Sequence, residues 1–528
     1  MSPREHAAAL LIVRLGSNMI PPRAAEADAD GVAALLRRWP IGGVILFNGR
    51  WPETRATLER LQALSAEGLL VTTDMERGLG QQVAGAGTHP HLAALAAGVA
   101  AGRADLDLVR DVAAQSAREA LACGVHVTFS PVADVDREPR NPIIGDRAFG
   151  ADPERAAALV AAFVEGARSA GQLTTAKHFP GHGGTVGDSH AELPTVTDGR
   201  DVLERSDLVP FRAAIEAGVD LVMTAHVAVP ALDPTGVPAT LSAPILRGLL
   251  RDTLGFEGAV VTDSLHMAGI KSDDYTEGEL AVEMLRAGVD LFVDPEDPEA
   301  IIEAIGAAVD AGTLEASRLE AAVARVRALR ARLRERFGDD VFRDASAAYP
   351  PETVPSRALA ASAERAAAAA LSTAWGTLPD LQDGAGTLVV ALRPQLRPTD
   401  PETLPFAEAV VRTLPAAEVV VLSASDPDDR LADVRARVDG ARRVVLATVV
   451  RPAAWHAFGL AERERSLALH LLAARPSTLV VLGGARGLAG LRSAESALVT
   501  YSDAPSSQRA AAAALARGGR PTPAMPSA

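Results

Sequence analysis

The sequence predicts an α/β protein in which a (β/α)8 barrel of the TIM type is followed by a smaller α/β sandwich domain. Three observations lead to this fold class. Short apolar runs alternate with longer amphipathic segments over roughly the first 310 residues. Polar residues stand at the C-terminal ends of these runs. A break that contains prolines then precedes a second alternation of the same kind.

The apolar runs are the predicted barrel strands. They are rich in Val, Ile and Leu and lack polar alternation, which is typical of parallel strands that are buried on both faces. There are eight, as a TIM barrel requires, at residues 9–14, 43–47, 69–74, 125–131, 173–178, 220–226, 259–263 and 290–293.

The amphipathic segments between the runs are predicted helices, because parallel neighbours need a crossover connection. They lie at residues 27–39, 53–67, 106–123, 153–170, 202–217, 243–253 and 276–287, with 298–311 and a long helix at 315–337 after the last strand. Residues 1–340 are therefore predicted to form the barrel domain.

Residues 341–355 form the predicted linker, because they carry three prolines and little apolar periodicity. Residues 356–518 form the predicted second domain. Its helices are expected at 356–373, 405–414, 430–440, 460–474 and 505–516, and its strands at 387–392, 418–423, 443–450, 478–483 and 497–501. The proline-rich residues 519–528 are predicted to be disordered.

The composition restricts the classes of partner. A formal net charge of -15 disfavours nucleic acid and anionic membranes, because their phosphates would be repelled. Cys123 is the only cysteine, which excludes an intramolecular disulfide and a cysteine metal cluster. The first apolar run is too short for a secretory signal, and no stretch reaches the ~20 apolar residues of a membrane span. A cytoplasmic protein is expected, and its oligomeric state is left open.

Polar residues at the ends of the strands predict where the barrel carries its site. The C-terminal ends of the strands form the catalytic face of a TIM barrel. The residues at these positions are Arg14, Asp74, Asp134, Lys177, His178, His226, Asp263 and Asp294. One site built from several strands is therefore expected.

Residues 177–190 read Lys-His-Phe-Pro-Gly-His-Gly-Gly-Thr-Val-Gly-Asp-Ser-His and hold three of the eleven histidines. Asp188 can accept a hydrogen bond from one nitrogen of His190, so that the other nitrogen serves as a general acid; the alternative is a structural His-Asp pair. The four-residue spacing of His178 and His182 also suggests zinc. Pro180 and Gly181 disfavour the helix that a zinc pair on one face needs.

Asp263 ends a predicted buried strand. A carboxylate in that position loses hydration and needs a polar or cationic neighbour. It is either a nucleophile or the N-terminal cap of the next helix, and Lys177, Arg147 and His190 on the same face favour the nucleophile.

The segment 177–190 resembles the signature of glycoside hydrolase family 3, in the branch of the β-N-acetylglucosaminidases. Segments 42–47, 74–82, 131–134, 141–150, 221–226 and 258–267 are similar to family segments in the same order. The resemblance implies that Asp263 is the nucleophile, His190 the acid/base and Asp188 its partner. It also implies that Asp74, Arg147, Lys177 and His178 bind sugar hydroxyls, with neither a metal nor another cofactor.

The implied activity is a retaining exo-β-N-acetylglucosaminidase, a β-N-acetylhexosaminidase that hydrolyses terminal β-linked N-acetylhexosamine through a covalent glycosyl-enzyme. Its expected substrates are oligosaccharides with a terminal N-acetylglucosamine, such as peptidoglycan fragments. Three alternatives stay open: a β-N-acetylglucosaminide phosphorylase, a β-glucosidase of the same family, and a non-catalytic sugar-binding barrel.

Three positions depart from the family pattern. Gln82 stands where the family has an arginine that contacts sugar, and Arg77 is a candidate replacement. Gly184 stands where many relatives have aspartate, and His266 stands where serine is common. His266 is expected to be structural.

Overall fold

The computed structural model describes residues 1–19, 21–271, 274–393, 399–423, 425–451 and 459–519. The chain divides into two compact units. The first comprises Met1–Gly87, Val109–Ile144 and Ala151–Leu359, and the second comprises Thr88–Leu108, Gly145–Gly150 and Ala360–Ala528. The domain boundaries expected from the sequence stay a prediction, and residues 520–528 of the predicted disordered tail lie outside the described residues.

The first unit contains a closed parallel barrel, which confirms the predicted fold class. Its strands follow the chain order around the barrel, and the last strand pairs with the first. They are β1 (Leu11–Leu15), β2 (Gly43–Leu46), β3 (Leu70–Thr73), β4 (Val127–Thr128), β5 (Leu173–Phe179), β6 (Leu221–Thr224), β7 (Ala259–Ser264) and β8 (Leu291–Val293).

The strands form where the sequence is apolar, because they are enclosed on both faces. Every residue of β2, β3, β6 and β8 is buried. Full burial of a Leu, Ile or Val side chain contributes about 1.5–3 kcal/mol to the free energy of unfolding. The barrel closes between β1 and β8, where Leu11 pairs with Phe292 and Ile12 pairs with Val293.

Helices connect the barrel strands as the amphipathic segments predict. Those in the first unit or at its border are Pro3–Ala8, Ala25–Arg38, Glu53–Gln62, Leu106–Cys123, Pro153–Ser169, Arg200–Arg205, Leu208–Glu216, Glu277–Ala287, Pro298–Asp310 and Ala316–Phe337, with a π-helical segment at Pro244–Thr253. The helix Pro3–Ala8 was not expected, since only its capping box of Ser2 and Glu5 marks so short a helix in sequence.

The predicted helix at 202–217 is two helices. Ser206 has φ -126° and ψ -81°, which are not helical angles, so the chain breaks there. Asp207 precedes the second helix but makes no side-chain capping bond to it. Its carboxylate is used elsewhere, as described below.

The second unit contains a six-stranded sheet. Its strands are β9 (Ser372–Trp375), β10 (Thr387–Arg393), β11 (Glu418–Ser423), β12 (Arg443–Val449), β13 (Ser477–Leu482) and β14 (Ser496–Val499), in the order β9-β14-β13-β12-β10-β11. Only the pair β9 and β14 is antiparallel. The first two residues of β9 were predicted as the end of the helix 356–373, because an alanine-rich helical pattern leads directly into the strand.

Helices Leu92–Ala100, Arg357–Ala370, Pro405–Thr413, Asp428–Arg437, Glu462–Ala474 and Pro505–Arg517 accompany the second sheet or border its unit. Over the described ranges of the chain, every helix is too short or too polar to cross a lipid bilayer.

Candidate active site

The polar residues at the C-terminal ends of the barrel strands meet in hydrogen-bonded pairs. Lys177 lies in β5, and its Nζ is 2.7 Å from Oδ1 of Asp74 and 2.8 Å from Oε1 of Glu76. The Lys177 side chain is only 3% exposed, so its charge depends on these two carboxylates. The structure thus brings together two predicted sugar-binding residues, Lys177 and Asp74. It adds Glu76, which the sequence analysis did not select.

Asp134 holds both histidines at the start of the loop. Its carboxylate accepts from the backbone N–H of His182 at 2.7 Å and lies 2.7 Å from Nδ1 of His178. Burial acts to raise the pKa of Asp134, but the charge and hydrogen bond of His178 and the backbone bond of His182 outweigh it, so the pKa is lowered. An ionised, buried Asp134 therefore fixes the orientation of His178.

His182 serves the loop itself. Its Nδ1 lies 2.8 Å from Oγ1 of Thr185, and its Nε2 lies 2.9 Å from Oγ of Ser189. The His178 and His182 rings are nearly perpendicular, with centroids 6.1 Å apart, and they bind different partners. Among the residues that the structure describes, no group of three or more His, Cys, Asp and Glu side chains could hold a metal ion.

Asp188 and His190 form the predicted pair. Oδ1 of Asp188 lies 2.6 Å from Nδ1 of His190 and also accepts from the backbone N–H of His190 at 2.9 Å. Burial acts to raise the pKa of Asp188, but the two bonds from His190 lower it overall. The carboxylate therefore stays ionised and directs Nε2 of His190 away from itself, which is the arrangement of a general acid/base.

Asp263 lies in β7 and is half-buried. The backbone N–H of Ser264 donates to its Oδ1 at 2.8 Å. Burial acts to raise the pKa of Asp263, but the charges of His178, His226, Lys177 and His190 lower it overall. Asp263 is therefore an anion close to Lys177 and to three histidine rings, and a carboxylate nucleophile needs to be ionised.

Arg147 ends the short helix Gly145–Arg147 and is half-buried. Its segment, Gly145–Gly150, groups with the second compact unit. The predicted contact of Arg147 with sugar hydroxyls stays a prediction.

The three departures from the family pattern have local partners. Oε1 of Gln82 accepts from Nδ2 of Asn18 at 2.7 Å. His266 lies between two carboxylates, with Nδ1 3.3 Å from Oε1 of Glu296 and Nε2 3.6 Å from Oδ1 of Asp294. Gly184 faces the guanidinium of Arg137, since a Cβ at position 184 would lie 2.4 Å from Nη2.

Sequence reasoning gave no role to Asp134 or to Glu76. Asp134 was identified as a strand-end residue, but no pattern in the sequence reveals that one carboxylate orients two histidines. Glu76 is two residues from Asp74 in the same loop, and this spacing was the one available signal. The positive charge of a buried lysine needs negatively charged partners, and Lys177 has Asp74 and Glu76 in this role.

Comparisons with known proteins find related sequences and structures. The family model described as glycosyl hydrolase family 3 N-terminal domain matches residues 4–329. The chain is 34% identical to a "Beta-N-acetylglucosaminidase/beta-glucosidase" of Cellulomonas fimi, over 63% of this chain and 60% of that protein. It thus spans less than two thirds of that relative. It is 40% identical to a "Beta-hexosaminidase" of Alkalilimnicola ehrlichii, over 49% of this chain and 75% of that protein.

A solved structure extends the similarity to nearly the whole chain. It is a glycoside hydrolase family 3 β-N-acetylglucosaminidase from Paenibacillus sp. str. FPU-7, with a TM-score of 0.86 and 28% sequence identity. The match covers 99% of this chain and 98% of that one.

Proposed function

Because the chain belongs to glycosyl hydrolase family 3, we propose that it is a retaining exo-β-N-acetylglucosaminidase that releases terminal β-linked N-acetylhexosamine. The observation that carries this proposal is the contact of 2.6 Å between Asp188 and His190. A histidine held by a carboxylate, beside an ionised Asp263, supplies an acid/base and a nucleophile. The activities for which these relatives are named support the same proposal.

The first step makes the glycosyl-enzyme. His190 donates the proton on Nε2 to the glycosidic oxygen as the bond from this oxygen to the anomeric carbon breaks. A carboxylate oxygen of Asp263 bonds to the anomeric carbon, and the aglycone leaves as an alcohol. Asp188 stabilises the imidazolium before the transfer and holds the ring during it.

The second step releases the sugar. Neutral His190 takes a proton from a water molecule, whose oxygen bonds to the anomeric carbon as the bond to Asp263 breaks. His190 is then protonated again and Asp263 is again a carboxylate, so the cycle closes.

Lys177, His178 and Asp74 are proposed to bind the hydroxyls of the terminal sugar. Asp74 is 30% exposed, whereas its partner Lys177 is buried, so the carboxylate presents the accessible part of this pair. Such bonds accelerate the reaction if they strengthen as the sugar flattens towards its oxocarbenium-like transition state. Arg147 is proposed for the same role on the strength of the family resemblance alone.

Peptidoglycan fragments are the proposed substrate source, and the proposed location is the cytoplasm; both rest on the family resemblance.

One observation favours a second candidate function. The Cellulomonas relative is named both as a β-N-acetylglucosaminidase and as a β-glucosidase, so a β-glucosidase of the same mechanism is the alternative.

The test compares p-nitrophenyl β-N-acetylglucosaminide with p-nitrophenyl β-glucoside, each with and without phosphate. We expect the N-acetyl sugar to be preferred, with rates that do not depend on phosphate. A preference for the glucoside would support the second candidate. Formation of a sugar 1-phosphate would make the protein a phosphorylase, and sugar binding without turnover would make it a binding protein.

A further inference from the structure

The loop that carries Asp188 and His190, here called the catalytic loop, is hydrogen-bonded to a second loop, which follows β4. Asp134 binds the backbone of His182, as described above. The backbone N–H of Glu138 donates to the carbonyl of Gly183 at 3.2 Å. Nδ2 of Asn141 donates to the carbonyl of His182 at 2.9 Å. Residues 134–141, here called the clamp, therefore bind the backbone of the catalytic loop at successive positions.

Arg137 is the charged centre of the clamp. Its Nε donates to Oδ2 of Asp207 at 2.9 Å, and its Nη2 donates to Oδ2 of Asp198 at 2.8 Å. The Asp207 side chain is fully buried, whereas that of Arg137 is 22% exposed. A buried carboxylate that loses its cation is left as an uncompensated charge, which strongly destabilises a protein. The pair is therefore a firm anchor at the start of the helix Leu208–Glu216.

The guanidinium also occupies the space beside the catalytic loop. Because a Cβ at Gly184 would lie 2.4 Å from Nη2 of Arg137, the loop backbone passes directly along this group. A Cβ at Gly183 would lie 1.8 Å from the carbonyl oxygen of Val135, so the two loops touch through their backbones. The anchored arginine thus limits the positions that residues 183 and 184 can take.

A short path leads from this contact to the acid/base. Thr185 follows Gly184, and its Oγ1 lies 2.8 Å from Nδ1 of His182. Nε2 of His182 lies 2.9 Å from Oγ of Ser189, the residue between Asp188 and His190. If the loop moved at Gly184, the hydrogen bonds from Thr185 to His182 and from His182 to Ser189 would transmit the movement to the neighbouring His190.

We propose that Arg137 is a positioning residue for general acid catalysis: anchored on Asp207 and Asp198, it holds the catalytic loop so that His190 reaches the glycosidic oxygen. This inference rests on the proposed function of His190. Arg137 acts through the loop and does not touch the reacting atoms. A planar guanidinium suits the task because its Nε and Nη2 reach two separate carboxylates at fixed angles, which a lysine ammonium does not reproduce.

The consequence is a dependence on the leaving group. If His190 is displaced, the enzyme cleaves substrates more slowly when their leaving group needs a proton. Cleavage of substrates whose leaving group departs as a stable anion is little affected. A merely structural defect would lower the rates of both kinds of substrate by the same factor. A misplacement of about 1 Å can cost about 10²-fold in rate.

The test measures kcat/KM for the phenyl and 2,4-dinitrophenyl β-N-acetylglucosaminides, because kcat/KM reports the step that forms the glycosyl-enzyme. The variants are Arg137→Met, Arg137→Lys and His190→Ala. The matched control is Arg60→Met, since Arg60 lies outside the clamp, has a side chain that is 55% exposed and, like Arg137, pairs with an aspartate, here Asp30. Thermal unfolding shows whether each variant is folded. If Arg137→Met is not folded, the comparison is made with Arg137→Lys instead.

We expect Arg137→Met to lower kcat/KM about 10- to 100-fold for the phenyl substrate and less than about threefold for the dinitrophenyl substrate. Arg137→Lys should lie between this variant and the wild type, and Arg60→Met should match the wild type. Equal losses on both substrates, or none, would overturn the proposal while His190→Ala still shows the leaving-group dependence. If His190→Ala shows no such dependence, the acid/base assignment fails first and this proposal fails with it.

Discussion

Arg14 and Asp294 are joined across the seam where the barrel closes, with Nε of Arg14 donating to Oδ1 of Asp294 at 2.6 Å. Arg14 belongs to β1, and Asp294 directly follows β8. The carboxylate of Asp294 is almost fully buried and also accepts from the hydroxyl of Ser264 at 2.8 Å. Because Ser264 donates its N–H to Asp263, the ion pair at the seam also supports the proposed nucleophile.

Replacing Arg14 alone should be more costly than replacing the pair. Arg14→Met removes the cation from a buried carboxylate, and we expect a loss of about 3–5 kcal/mol in the free energy of unfolding. The double variant Arg14→Met with Asp294→Asn should lose less, because no buried charge is left at the seam. Urea unfolding of the three proteins checks this, and a larger loss in the double variant would contradict it.

Replacement of the proposed nucleophile should abolish turnover. We expect Asp263→Asn to lower kcat/KM by about 10⁴-fold or more, since the covalent intermediate cannot form. The measurement is release of p-nitrophenol from the β-N-acetylglucosaminide. Asp252→Asn is the control, because Asp252 is an exposed aspartate at the end of Pro244–Thr253. Activity within tenfold of the wild type in Asp263→Asn would overturn the assignment of the nucleophile.

Lys177, the buried cation of the proposed sugar site, should affect substrate binding more than the chemical step. Lys177→Met removes the charge that lies between Asp74 and Glu76. Mutual repulsion of the two carboxylates should then move Asp74, and we expect KM to rise about tenfold or more with a smaller fall in kcat. Steady-state kinetics on the same substrate measure both constants. An unchanged KM would show that Lys177 and Asp74 do not position the sugar.

Asp134 should give the protein part of its acid sensitivity. Its pKa is lowered in the folded state, so its contribution to stability is present above the unfolded pKa of about 3.8 and is lost as the pH falls through the folded value. We expect Asp134→Asn to lower the free energy of unfolding at pH 7 by about 2 kcal/mol or more. The difference between variant and wild type should shrink below about pH 4. Urea unfolding at pH 7 and pH 3 tests this, and a constant difference would contradict it.

The single cysteine should be inert in the folded protein. Cys123 is fully buried at the end of Leu106–Cys123, and burial, with a smaller contribution from the charge of Glu119, raises its pKa to about 12. We expect no reaction with a thiol reagent such as Ellman's reagent at pH 8 and one equivalent after unfolding in urea. Rapid labelling of the native protein would show that this helix end opens.

Local spacing made much of the site predictable. Asp188 and His190 are two residues apart, so their contact follows from the loop sequence alone. The convergence of Lys177 on Asp74 follows from a rule about the fold, because both residues stand at the same end of a parallel barrel. The eight strands were predictable for the same reason that they are stable, namely their continuous apolar runs.

Contacts between distant residues could not be predicted in this way. Arg137 and Asp207 are 70 positions apart, and their pairing depends on the break of the predicted helix at Ser206. Pro210, four residues after Ser206, is the signal for this break, because a proline ring clashes with the carbonyl of the residue four positions before it, but it does not reveal which residue Asp207 will bind. Asp134 likewise acts on His182 over 48 positions. The predicted roles of the site residues stay predictions until the variants above are measured.

The discontinuity of the second unit has a consequence for synthesis of the chain. Its segment Thr88–Leu108 leaves the ribosome well before the largest part of that unit, which begins at Ala360. At about 5–20 residues per second, the interval is roughly 10 to 50 s. During this time the backbone N–H of His91 has no Ser502 hydroxyl to bind, and Leu92 and Leu95, buried in the finished protein, lack part of their surroundings. Nascent chains halted before residue 360 should therefore engage chaperones at this segment, and a barrel cut from the gene at the linker would carry the same exposed segment permanently.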